Sequence, residues 1–120
     1  MLKISSRNII IFNEQINKYL KFLKSIVEDE KIKKQITNYR TNIKLGLLMD
    51  KHIVINIFYE YIYQHREKIN NENDDVMGLF QNHLFDNELD LNAIWKTTKN
   101  EDKETIWKHL KILILLCEQD

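Results

Sequence analysis

His52-Ile-Val-Ile-Asn-Ile-Phe-Tyr-Glu-Tyr-Ile-Tyr63 decides the fold, because its composition suits a strand and its spacing suits a helix. β-Branched and aromatic residues dominate the stretch, and both favour extended backbone. The polar residues point the other way. Asn56, Glu60 and Gln64 recur every four positions, a helical period, whereas a half-buried strand alternates every two. No glycine or proline interrupts the run through Arg66 and Glu67. The spacing therefore predicts a helix from about Asp50 to Asn70. Its polar stripe is narrow, so the helix is expected to be central and almost fully enclosed.

Toward the N-terminus two further helices are expected. Phe12, Ile16, Tyr19, Leu23 and Ile26 step by fours and threes along a helix from about Ser6 to Glu28, with Ser5 or Ser6 as its N-cap. Lys18, Lys21 and Lys24 fall off that stripe. After the acidic break Glu28–Glu30, the residues Ile32, Ile36, Tyr39 and Ile43 mark a second amphipathic helix, with Gly46 as its natural terminator.

Toward the C-terminus the signals are shorter. Asn70–Asp75 reads as a surface loop, Val76, Leu79, Phe80 and Leu84 as a short helix, and Asp86–Asp90 as another polar break. Leu91, Ile94 and Trp95 give a turn or two of helix. Thr98 and Glu101 have the spacing of a capping box ahead of a last helix over about Glu101–Glu118. There Ile106, Leu110, Leu113 and Cys117 form one stripe. Yet Ile112–Cys117 are six apolar residues in a row, pointing in every direction, so this end is expected to be covered all round, by its own bundle or by a second copy.

Composition agrees with helices. The chain has 120 residues, no proline and only two glycines, Gly46 and Gly78, whereas tight β-turns draw on both residue types. The expectation is one all-α domain over residues 1–120, a compact five- or six-helix bundle whose innermost members are the Ile53–Tyr63 and C-terminal helices. Net charge is zero, but residues 1–50 carry a net of +5 and residues 51–120 a net of −5. That split either cancels across one compact fold or helps to align a partner. The single cysteine, Cys117, allows no disulfide framework and suggests a reducing compartment. Neither Ile9–Phe12 nor Ile112–Cys117 is long enough for a signal peptide's core or a bilayer span, so no membrane association is expected.

Chemistry has few footholds. His52, His65, His83 and His109 lack the paired spacing of zinc ligands, so no metal is expected. Asp86-Asn-Glu-Leu-Asp90 opens like a calcium loop, but Leu91 and Thr97 stand where that loop needs glycine and a bidentate glutamate. No phosphate-cradling glycine loop and no nucleophile beside a base is present. The chain is expected to be no enzyme and to need no cofactor.

Two surfaces remain as candidates. Arg7, Lys18, Lys21, Lys24, Lys31, Lys33, Lys34 and Arg40 would form a phosphate-binding face across the first two helices, interrupted by Glu14 and Glu28–Glu30; the competing reading is a solvated charged face. Trp95, Trp107, Ile112, Leu115 and Leu116 are the candidates for a protein interface, and for the two tryptophans clamping of the core is the competing role.

Phe12-x-x-Gln15 opening a helix, Phe58 in a central helix, Ile69 before an acidic loop, Ile94-Trp95, and Lys103-x-x-Ile106-Trp107-x-x-Leu110 together resemble a group of small uncharacterised helical proteins of nucleocytoplasmic large DNA viruses, the giant viruses. The chain departs from that group at His109 and at Met49-Asp50. The resemblance implies a viral protein acting in the host cytoplasm or virion, and it implies no activity, cofactor or site residues. The leading expectation is a non-enzymatic interaction or assembly factor, homodimeric, with a viral or host protein partner. The alternative is an accessory nucleic-acid-binding protein that uses the basic N-terminal helices.

Overall fold

The computed structural model describes residues 4–77 and 91–118, and every regular element within them is helical. Helix α1 spans Ser6–Ile26, α2 Glu30–Met49 and α3 Ile53–Tyr61; a 3₁₀ turn over Tyr63–His65 leads into α4, Arg66–Asn70. Beyond the undescribed stretch lie α5, Leu91–Thr97, and α6, Asn100–Glu118. The protein is an all-α bundle, with a radius of gyration of 13.7 Å. Among the described residues no helix is long and apolar enough to cross a membrane.

Local chemistry explains where the long helices start. The Ser5 hydroxyl accepts the Asn8 amide at 3.2 Å, and the Asp29 carboxylate accepts the Lys31 and Ile32 amides at 2.8 and 3.2 Å. Each cap satisfies donors that the first helical turn leaves without a partner. The link Val27–Asp29 is only three residues long, so α2 folds straight back beside α1.

The core lies where α1 runs along α6, the most extensive helix pairing in the molecule, with α3 closing one end. Phe12, Tyr19, Leu20 and Leu23 from α1 meet Leu110 and Leu113 from α6, all of them essentially sealed from solvent. Phe12 meets Phe58 of α3 edge-on, with ring centroids 5.4 Å apart at 69°. Burying a side chain of this size stabilises the fold by roughly 2–3 kcal/mol. The stripes expected on α1 and α6 are thus the ones the core uses.

Four expectations need correction. Gly46 does not end α2; the helix runs a turn further to Met49, where the Asp50 amide still donates to the Gly46 carbonyl at 2.9 Å. A Cβ on Gly46 would stand 3.8 Å from the Ile53 side chain, so the glycine belongs to the α2–α3 contact and not to a turn. The third segment is helical as expected but is no continuous rod: it bends at Ile62, which carries α4 onto α6. Nor is it enclosed. Val54, Ile55, Phe58 and Ile62 are buried, while Ile53, Tyr59 and Tyr61 stay open on the other side, because only one face of α3 meets the bundle. Finally, Thr98 makes no capping box; its hydroxyl donates back to the Ile94 carbonyl at 2.6 Å, closing α5 instead of opening α6. Of the expected helix through Val76, Leu79, Phe80 and Leu84, Val76 is described and is helical and buried; the other three, together with His83 and the Asp86–Asp90 break, lie outside the described residues.

Candidate interaction surface

The interface candidates divide sharply. Trp95 and Trp107 are buried and pack edge-to-face, centroids 5.3 Å apart at 79°, with the Lys103 ammonium 4.8 Å above the Trp95 ring. They clamp α5 to α6 and are removed from any surface. Leu116 is buried as well, because it turns toward the rest of the bundle with Leu113 and Cys117. Ile112 and Leu115 are the two of the set that remain open, at 42% and 53% exposure. The chain's own bundle therefore does not cover Ile112–Cys117 all round.

A second apolar surface escaped the sequence reading. The last turns of α2 end in Leu45-Gly46-Leu47-Leu48-Met49, and α3 covers only the Gly46 side of that run. Leu48 and Met49 are 83% and 91% exposed, with Leu45 and Ile53 open beside them. Four apolar side chains within five successive helical residues cannot all face one core, the same signal that drew attention to Ile112–Cys117.

Between α1 and α2 the chain leaves a groove of about 300 Å³. Leu20, Ile43 and Leu47 give it an apolar lining; Ile10, 56% exposed, stands on its edge. Two polar ties hold its walls: Arg40 Nε donates to Asn17 Oδ1 at 3.1 Å, and Asn13 Nδ2 donates to the Lys51 carbonyl at 3.0 Å. A larger cleft, about 710 Å³, opens where the α1–α2 link faces α5 and α6. Its carboxylates and ammonium groups, Glu28, Asp29, Asp102, Lys33 and Lys99, are mixed in sign, and Asp29 is already engaged as the α2 cap.

The basic candidates are distributed over both α1 and α2. Arg7, Lys18 and Lys21 are exposed on α1, but Arg7 is eleven residues from Lys18, about 16 Å along a helix. Lys31 and Lys34 are exposed on α2, whereas Lys24 and Lys33 are half-buried and Lys33 pairs with Glu30 at 3.6 Å. The acidic link Glu28–Glu30 separates the two groups.

Between α1 and α6 lies a part-buried polar contact. Gln15 Nε2 and His109 Nδ1 are 2.6 Å apart, and the imidazole sits between the rings of Tyr19 and Phe22, with centroids 5.9 and 5.6 Å away. Burial, and then the Lys18 charge, lower the His109 pKa, so the ring is neutral and Nδ1 accepts the Gln15 amide hydrogen. No nucleophile adjoins it. Burial pushes the Cys117 thiol up to about 12, which leaves it protonated and unreactive. Among the described residues no group of three His, Cys, Asp or Glu side chains is placed to hold a metal ion.

Among the described residues, the most exposed large apolar side chains, Leu48 and Met49, stand at the end of α2. No family model, no curated protein and no solved structure matches the chain.

Proposed function

We propose that the protein works by association and not by catalysis, as an interaction or assembly factor that forms a homodimer. Its resemblance to giant-virus proteins makes the infected cell or the virion the proposed setting. The observation that carries this reading is the exposure of Leu48 and Met49, 83% and 91%, on a well-formed helix. Large apolar side chains scattered singly on a surface need no explanation, but a contiguous group of them marks a place where another surface is meant to sit. Leu45 and Ile53 extend the group on either side. Light scattering on the purified chain across the micromolar range tests the reading. A rising fraction of dimer supports it, and a strict monomer with no protein partner in pull-downs overturns it.

Nucleic-acid binding is the second reading, supported by the exposed ammonium groups of Lys18, Lys21, Lys31 and Lys34. It requires salt-sensitive retention of DNA or RNA, because phosphate contacts release counterions. Charge reversal at Lys18 and Lys21 then removes the retention. Absence of binding at low salt ends this reading.

A further inference from the structure

The α1–α2 groove adjoins the exposed end of α2. We propose that a second copy of this chain docks there by a two-fold axis, each copy placing Leu48 in the groove of the other. This rests on the homodimer reading above and names the surface that would serve it.

The case begins with adjacency. Leu47 lines the groove while Leu48, the next residue, stands out into solvent. A two-fold axis brings the same patch of both copies together, so a residue that enters its partner's groove is matched by the identical insertion in return. A single operation then covers both the projecting leucines and both grooves. The groove's 300 Å³ lies at the bottom of the range for small-molecule sites, about 300–1,000 Å³, which suits side chains better than a cofactor.

Charge gives the second line. Lys44 precedes Leu48 by one helical turn, so the two side chains project from the same stripe of α2. Glu14 lies on the α1 wall of the groove, across from Lys44 of its own chain. Neither Glu14 nor Lys44 takes part in an ion pair among the described residues. When Leu48 of one copy descends into the groove, its Lys44 arrives at the partner's α1 wall, where the carboxylate stands. The contact is thus apolar at its centre with two reciprocal opposite-charge pairs at its rim, the arrangement that sets partner orientation.

Sedimentation equilibrium on the full chain tests the proposal, with thermal unfolding followed by circular dichroism as a check on folding. Leu48→Glu weakens association by about tenfold or more, since it carries a charge into an apolar groove, and leaves the melting temperature in place when both proteins are read at a concentration where they are monomeric, because Leu48 is exposed. Glu14→Lys and Lys44→Glu each weaken self-association through like-charge contacts. An equimolar mixture of those two variants regains it, because in the mixed dimer both rim pairs are opposite in sign. A wild-type dimer indifferent to Leu48→Glu and to the charge reversals overturns this surface while the homodimer reading stands. A wild-type chain that stays monomeric overturns both. Dimers disrupted by Leu48→Glu, with no recovery in the mixed sample, overturn the two-fold arrangement.

Discussion

Two helix ends in this molecule carry nearly the same apolar density and meet opposite fates. Ile112–Cys117 at the end of α6 buries four of its six residues, Leu113, Ile114, Leu116 and Cys117, against the bundle. Leu45–Met49 at the end of α2 leaves Leu45, Leu48 and Met49 in solvent, although the helix there is equally regular. The difference comes from neighbours. α6 packs against both α1 and α4, whereas α2 packs against α1 and, beside Gly46, meets Ile53 at the start of α3. Apolar residues in the first place hold the bundle together; in the second they contribute little to folding and remain available for association.

Truncating each end separates these roles most clearly. Leu110→Ala, in the sealed seam beside Phe12 and Leu23, is expected to cost about 3 kcal/mol, since the lost methyl groups leave a cavity that rigid neighbours cannot fill. Leu48→Ala is expected to change stability by less than about 0.5 kcal/mol, because its side chain is already in water. Urea unfolding of both variants at a concentration where the chain is monomeric measures the two values. Equal losses would abolish the distinction between the regions.

How far this contrast is legible in the sequence depends on which neighbour does the covering. The α1 and α6 stripes were readable from Phe12, Ile16, Tyr19 and Leu23 and from Ile106, Leu110 and Leu113, because a period of 3.6 is a property of one helix alone. The helical nature of Ile53–Tyr61 was readable for the same reason, from Asn56 and Glu60. Its open flank was not, because a narrow polar stripe says how much of a helix tolerates burial and not how much the bundle supplies. Of the interface candidates, Ile112 and Leu115 are exposed and Trp95, Trp107 and Leu116 are core, a division set by tertiary packing within one helix turn. The Leu45–Met49 surface carried a local signal, four apolar side chains within five residues, but Gly46 masked it by resembling a helix stop.

The seam also carries a pH-sensitive group. His109 has its pKa lowered from the ordinary 6.5 by burial and by Lys18, so the native state resists the proton that the unfolded chain accepts near 6.5. Stability from the neutral Gln15–His109 contact is therefore full above that value and declines as pH falls below it toward the folded pKa. His109→Gln removes the titration and should flatten the loss between neutral pH and mildly acidic pH, read as melting temperature against pH for both proteins. An unchanged slope in the variant would place the acid sensitivity elsewhere.

A smaller effect of opposite sign is expected at Tyr19, whose ring is fully buried while its hydroxyl finds no protein partner. Burial drives the phenol's pKa upward, so the group stays neutral throughout the working range. A buried hydroxyl without a partner costs about 1 kcal/mol or more. Tyr19→Phe is expected to return roughly 1 kcal/mol to the fold, visible as a rise in melting temperature; a fall would reveal that the hydroxyl is satisfied.

The smallest effect tests how the rim of the seam is fastened. After α4 the amide of Glu72 donates to the Ile69 carbonyl at 3.0 Å and the amide of Asn73 to the Lys68 carbonyl at 2.8 Å, which closes the helix in a Schellman motif. The left-handed residue that this motif requires is Glu72, with φ of 55°, where glycine is the usual choice. A side chain in that region costs about 1 kcal/mol. Its carboxylate accepts from Lys111 Nζ at 2.9 Å and so ties the end of α4 to α6, but both partners are more than a third exposed and the pair contributes less than about 1 kcal/mol. Removing strain and bridge together should leave the first slightly larger. Glu72→Gly is expected to stabilise by less than about 1 kcal/mol, reduced by the freedom that glycine adds to the unfolded chain. A cycle with Lys111→Met isolates the bridge: if Glu72→Gly destabilises the chain with Lys111 present and stabilises it without, the ion pair outweighs the strain, and the rim of the seam is held by charge as well as by packing.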